Sequence, residues 1–258
     1  MVQEKMTKLK NKILAITRSE HDAAEFSKLV SADGGKTIAL QAIDIVQAGP
    51  QAAQEFLDKL KNKKHDYCAF LSSQAVSALF ELAGDKAVQA LNSTKVIAVG
   101  PKTKQSLIER GMQVELVPEK YSSAGLVDLL SKLEPNGKKI IMPRSGAANE
   151  FASQILSDLG MEVDEVFLYT VKTTKPTPVW SEFSILLQKK GIDAVIFTSA
   201  SNVSSFFEIM GSMPLDSLTK VISIGPFTSN ELKKRKINCI EAKEHTVLGT
   251  FELARQVV

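Results

Sequence analysis

The sequence predicts an α/β protein built from two doubly wound parallel-sheet domains that arose by internal duplication. Two observations carry this. VIAVGPKTKQSLIERG (residues 96–111) returns as VISIGPFTSNELKKRK (221–236), each copy preceded by Thr-Lys. DYCAFLSSQAVSALFE (66–81) returns without a gap as DAVIFTSASNVSSFFE (193–208). In every copy a short apolar run leads into apolar residues spaced by three and four, the pattern of a buried strand followed by an amphipathic helix. Strands alternating with helices of this length require a parallel sheet covered on both faces. A repeat of about half the chain marks two domains, not a solenoid of short units.

Each element has its own signal. The strands of the first copy are the apolar runs 13–17, 38–46, 67–71, 96–99 and 114–117. The first strand repeats faintly, KILAITRSE (12–20) against KKIIMPRSG (138–146), with Arg18 over Arg144. Helical segments AAEFSKLVSADGG and ANEFASQILSDLG follow, each ending at glycine. The next helices carry Val76, Leu79, Phe80 and Ala83, closed by Gly84, and Val203, Phe206, Phe207 and Met210, closed by Gly211.

Composition narrows the function. The 258 residues are 44% hydrophobic and 24% charged, an ordinary soluble balance, and no apolar run approaches bilayer-spanning length. The basic N-terminus is followed by an apolar stretch too short for a signal-peptide core, so a cytoplasmic protein is expected. Cys68 and Cys239 sit in short apolar runs and read as core fillers, not a disulfide. His21, His65 and His245 are scattered beside polar residues and read as surface positions; no Cys/His cluster has metal-ligand spacing. A net charge of +3 is too mild for a nucleic-acid footprint, and the lysine runs 59–64 and 233–236 read as solvated helix ends. A mildly basic protein still suits a polyanionic small molecule.

In open parallel sheets ligands bind beyond the carboxyl ends of the strands. This chain places Ser72-Ser73, Thr198-Ser199, GPKT and GPFT there. Each reads as a hydroxyl capping a helix start, with Thr103 and Thr228 as the caps after the two Gly-Pro turns. Capping alone explains any one of them. Keeping the glycine in both copies also suits an anion site of bare N–H groups. No phosphate-loop glycine pattern and no catalytic triad order is present.

The order and spacing of VIAVGPKTKQSLIERGMQVELVPEKYSSAGLVDLL, IIMPRSGAANEFASQILSDLGMEVDEVFLYTV, DAVIFTSASNVSSFFEIMG and VISIGPFTSNEL resemble the uroporphyrinogen-III synthase family over nearly the whole chain. The resemblance implies two flavodoxin-like domains that are not sequential halves. Residues 1–44 and 169–258 would form one, residues 45–168 the other, and strands 40–47 and 165–173 a two-stranded hinge ladder between them. It implies a cofactor-free lyase that cyclises hydroxymethylbilane with inversion of ring D and loss of water. It also implies a monomer that meets hydroxymethylbilane synthase transiently and binds neither membrane nor nucleic acid. Tyr169, in LYTV, falls where the family has its cleft-facing tyrosine and would be the catalytic acid, although Thr170 replaces the family's usual arginine. Substrate contacts would come from Thr103, Thr228, Ser72, Ser199, Arg18, Arg144 and the cap Ser123. The competing reading is a non-catalytic two-lobed module that binds a tetrapyrrole or small anion.

Overall fold

The computed structural model describes residues 7–258. In chain order the elements are β1 (Ile13–Ile16), α1 (Glu20–Ala32), β2 (Lys36–Ala39), β3 (Ile43–Gln47), α2 (Pro50–Asn62), β4 (Tyr67–Phe70), α3 (Ser73–Ala83), α4 (Asp85–Leu91), β5 (Lys95–Ala98), α5 (Pro101–Ile108) and α6 (Ser123–Ser131). They continue with β6 (Lys139–Ser145), α7 (Phe151–Asp158), β7 (Glu162–Thr173), α8 (Pro178–Gln188), β8 (Ala194–Phe197), α9 (Ala200–Met210), α10 (Leu215–Leu218), β9 (Lys220–Ser223), α11 (Pro226–Lys234), β10 (Ile240–Glu241) and α12 (Val247–Val257). Among the described residues no helix is long and apolar enough to cross a membrane.

The chain divides into two compact units. The first comprises the described residues through Asp44 together with Lys172–Val258; the second is Ile45–Val171. The first holds a sheet in the order β10-β9-β8-β1-β2, the second a sheet in the order β3-β7-β6-β4-β5. The pairs joining β10, β9, β8, β1 and β2, and those joining β7, β6, β4 and β5, are all parallel. Four strands of the two orders correspond, with β9, β8, β1 and β2 answering to β5, β4, β6 and β7, while β10 and β3 are added at opposite ends.

Both faces of each sheet are covered. Along β4, Cys68 and Phe70 enter one core cluster while Tyr67 and Ala69 enter another. Along β8, Val195 and Phe197 divide from Ala194 and Ile196 in the same way. This is the period-two alternation of a strand buried on both sides, which is why the runs read as continuously apolar.

An aspartate anchors the equivalent central pair in each unit. Asp66 accepts the N–H of Lys139 at 2.9 Å and pairs with Lys138 at 3.2 Å. Asp193 accepts the N–H of Ile13 at 2.8 Å and pairs with Lys12 at 3.0 Å. Each carboxylate thus satisfies an edge donor on the neighbouring strand and adds a charge-assisted contact.

Four expectations change. The run 38–46 is two strands in two different sheets, because Leu40 and Ala42 leave the ladder to fill the core around Trp180 and Phe183. The run 114–117 contributes only a bridge from Leu116 to Ile97, ending at Pro118, which has no N–H to extend a ladder. His65 is buried, not exposed: its Nε2 lies 3.0 Å from Asp164 and its Nδ1 is buried without a partner. The lysines closing α2 are not merely solvated, since Lys63 binds Asp164 at 2.9 Å and Lys59 reaches it at 3.5 Å.

Burial pushes the Asp66 carboxyl up, but hydrogen bonds from Lys139 and Lys138 more than offset it and leave it below the usual carboxylate range. A depressed folded value stabilises the fold above the unfolded pKa and is lost as pH falls through the folded one. Acid unfolding below about pH 4 should therefore be shallower for Asp66→Asn than for the parent, as read from urea midpoints across pH. Burial also pushes the Cys68 thiol well up, so it stays protonated and inert. Cys68→Val should cost less than about 1.5 kcal/mol in denaturant titration. Alkylation of the native protein should mark Cys239, which is only partly buried, before Cys68.

Candidate functional site

The carboxyl ends of the strands carry the polar side chains. In the second unit β4 runs into Ser72, whose hydroxyl accepts the N–H of Ala75 at 3.2 Å and so caps α3. The same oxygen lies 3.0 Å from the hydroxyl of Tyr169 on β7. The register of β6 and β7 slips between Arg144 and Ser145, pairing Ser145 with Tyr169. The N–H of Gly146 then donates to the carbonyl of Tyr169 at 2.8 Å, which fixes the backbone beneath the phenol. Tyr169 is 9% exposed. Its burial raises the phenol pKa; the Ser72 hydrogen bond and the charge of Arg144 oppose that rise without cancelling it.

Arg144 is neither exposed nor open to an incoming carboxylate. It is buried, ion-paired with Glu165, and donates to the carbonyl of Asn149. Its role is therefore internal, as a fixed positive charge behind the tyrosine. Removing one partner of a buried pair strands the other charge, so the two are held together.

In the first unit β8 leads to Ser199, which caps α9 by accepting the N–H of Asn202 at 3.1 Å and its Nδ2 at 2.8 Å. Thr17 and Thr198 close the strand ends: the Thr198 hydroxyl donates to Thr17 O at 3.1 Å, and the Thr17 hydroxyl to Ile196 O at 3.2 Å. Arg18 follows β1, largely buried, with its Nε lacking a partner. Burial lowers its pKa, against the charges of Asp22 and Glu25.

Three capping assignments are corrected. The N-caps of α5 and α11 are Gly100 and Gly225, neither with a side-chain bond. Proline takes the first helical position, so Thr103 and Thr228 sit at the third; both are buried, and Thr103 turns back to donate to Val99 O at 3.3 Å. The cap of α6 is Ser122, which accepts from Gly125 N–H, and Ser123 is the first helical residue. Sequence reasoning also missed Glu165 and Asn202. A carboxylate facing an arginine across a parallel pair has no local signal, whereas Ser199 followed by a side-chain amide three residues on was available to read.

Two parallel α/β units of matching strand order, each with hydroxyl-capped helices at its strand ends, define a class of two-unit α/β protein. Residues 24–252 match the family model described as uroporphyrinogen-III synthase HemD, and the chain belongs to that family of tetrapyrrole-biosynthetic enzymes. It is 28% identical to a provisionally named uroporphyrinogen-III synthase of Methanothermobacter thermautotrophicus, over 91% of this chain and 94% of that one. It is 26% identical to the uroporphyrinogen-III synthase of Chlorobaculum parvum, over 88% and 90%. The crystal structure of uroporphyrinogen-III synthetase from Helicobacter pylori shares the fold at a TM-score of 0.63 and 19% identity, over 96% of this chain and 100% of that one.

Ser72→Ala removes a cap and the phenol's hydrogen-bond partner together. Stability should fall by about 1 kcal/mol. Spectrophotometric titration of tyrosinate should show one of the three tyrosines ionising at higher pH than in the parent.

Proposed function

We propose that this protein cyclises hydroxymethylbilane to uroporphyrinogen III as a cofactor-free lyase, with Tyr169 as the acid that releases the terminal hydroxyl. The observation that carries the assignment is the 3.0 Å contact between the Tyr169 and Ser72 hydroxyls at the end of β4. Ser72 already accepts the N–H of Ala75. Its own hydrogen is then free to point at the phenol oxygen, which leaves the phenol hydrogen free for the substrate. A phenol is protonated at neutral pH, the form an acid needs, and burial moves its pKa further up.

The step balances. The phenol gives its proton to the departing hydroxyl, the carbon–oxygen bond breaks, and water leaves. The electron-poor methylene that remains is attacked by the substituted carbon of ring D, giving the spiro intermediate; the bond from that carbon to the methylene of ring C then breaks, and the freed methylene bonds to the other α-carbon of ring D, which inverts the ring. Rearomatisation on closure releases a proton, which restores the phenol. While Tyr169 is a phenolate, the Ser72 hydroxyl donates to it and the Arg144 charge stabilises it. Thr103, Thr228, Ser199 and Arg18 are the further candidates for substrate contact. The hydroxymethylbilane synthase reaction supplies the substrate, and a transient encounter with that enzyme would shorten the life of free bilane.

Without catalysis the bilane closes to the uninverted type I ring. Tyr169→Phe should keep substrate affinity while losing about 10²–10⁴-fold in turnover, the span of a single general acid. The type I share of product should rise with it. Chromatographic separation of the two isomers decides the matter: full type III synthesis by Tyr169→Phe removes the phenol from the chemistry.

A further inference from the structure

Each unit repeats a second device, downstream of its Gly-Pro turn. In the second unit the N–H of Ser122 donates to Lys120 O at 2.9 Å, closing a three-residue turn around Tyr121. Ser122 then caps α6. In the first unit the N–H of Thr246 donates to Glu244 O at 2.8 Å, closing the same turn around His245. Thr246 then caps α12, accepting the N–H of Gly249 at 3.0 Å. A glycine stands three residues past each cap for one reason. A Cβ on Gly125 would lie 1.9 Å from Lys120 O, and one on Gly249 would lie 2.2 Å from Glu244 O. No other residue lets the carbonyl come so close.

These constraints lay one polar ring on each Gly-Pro turn. A Cβ on Gly100 would meet the Cβ of Tyr121 at 3.5 Å, and one on Gly225 would meet the His245 ring at 3.2 Å. Gly225 is informative. Its φ of 176° is extended backbone that any residue adopts, so conformation does not explain the glycine. Room for the imidazole does.

A ring that only shielded the turn would need no polar end. Yet Tyr121 is 43% exposed, and the His245 side chain is 29% exposed, with Glu241 Oε1 3.8 Å from its Nε2. Each ring stands beside the start of a helix at the strand ends, where a polyanion would meet bare N–H groups. A ring already packed on backbone loses little freedom when it binds, unlike a lysine on a free stem.

We propose that Tyr121 in the second unit and, independently, His245 in the first are substrate-binding residues, each offering a ring hydrogen-bond donor to a carboxylate of the linear tetrapyrrole. This rests on the function proposed above. Tyr121→Phe and His245→Phe keep a ring on the turn and remove the donor. Each should raise the KM for hydroxymethylbilane by about 2- to 10-fold with kcat and the type III share held. Gly225→Ala should raise KM by displacing the imidazole, and should add nothing in the His245→Phe background, the non-additivity of residues that share one contact.

The parent enzyme is assayed first. A parent that makes no type III product refutes the function itself. An active parent with KM unmoved in both phenylalanine variants, at unchanged circular dichroism, overturns only the role of the rings. Tyr121→Phe alters a single exposed hydroxyl and decides the second unit even where His245→Phe is unstable. Fluorescence titration with uroporphyrin III, a stable octacarboxylate, gives a reading free of turnover, and weaker binding by the variants is the expected result.

Discussion

The parallel pairing of two sequence-distant strands at the centre of each unit is the contact on which everything else hangs. β1 meets β8 and β6 meets β4, and an aspartate ties each pair at its amino end. Parallel neighbours cannot be joined by a tight turn, so their register has to be set by side chains and by the cores on both faces. Asp193 and Asp66 do this by accepting the first N–H of the neighbouring strand, and Thr17 with Thr198 closes the far end of the first pair. Once that register is set, the carboxyl ends of the two central strands of a unit lie on the same side of the sheet. The helices that follow them then start along one rim.

The rim of the second unit shows how a weak acid can be kept and directed. The phenol of Tyr169 sits where burial disfavours its ionised form, yet two neighbours favour that form: the Ser72 hydroxyl and the Arg144 charge. The result is a proton held firmly at rest and a phenolate that is bearable when formed. Arg144 can play this part because Glu165 and the carbonyl of Asn149 hold it in place, so its charge acts at a distance and is not drawn onto a ligand. The hydroxyl that caps α3 and the hydroxyl that steadies the tyrosine are one atom, which ties the packing of a helix to the behaviour of the acid.

Much of this is legible in the sequence, because the same pattern appears in it twice. The apolar runs at Tyr67–Phe70 and Ala194–Phe197 and the hydroxyls after them were read directly. What escaped was non-local. The break at Leu40–Ala42 follows from which core those side chains fill, not from their hydrophobicity. Burial of His65 depends on Asp164, about a hundred residues away. Threonine after a Gly-Pro turn suggests a cap at Thr103 and Thr228, but proline at the first helical position moves both to the third. The turns around Tyr121 and His245 share only a hydroxyl cap and a glycine three residues on, too little to mark a repeat without their backbone hydrogen bonds.

The division of the chain has a consequence for its synthesis. Ile45–Val171 is continuous, so that unit is complete as soon as Val171 leaves the ribosome. The other unit is split: β1 emerges early, but the aspartate that receives its first N–H is 180 residues further on. Throughout that interval β1 and β2 travel as an unfinished edge while the inserted unit folds behind them. Long-range parallel pairing is slow to form, and an apolar strand waiting for its partner is the part of a nascent chain most open to wrong association. Helix α12 packs against α1, so the first unit closes only after α12 has been made. The order of translation therefore makes the segment that follows Val171, not the one that precedes Ile45, the step that commits the first unit to its native form.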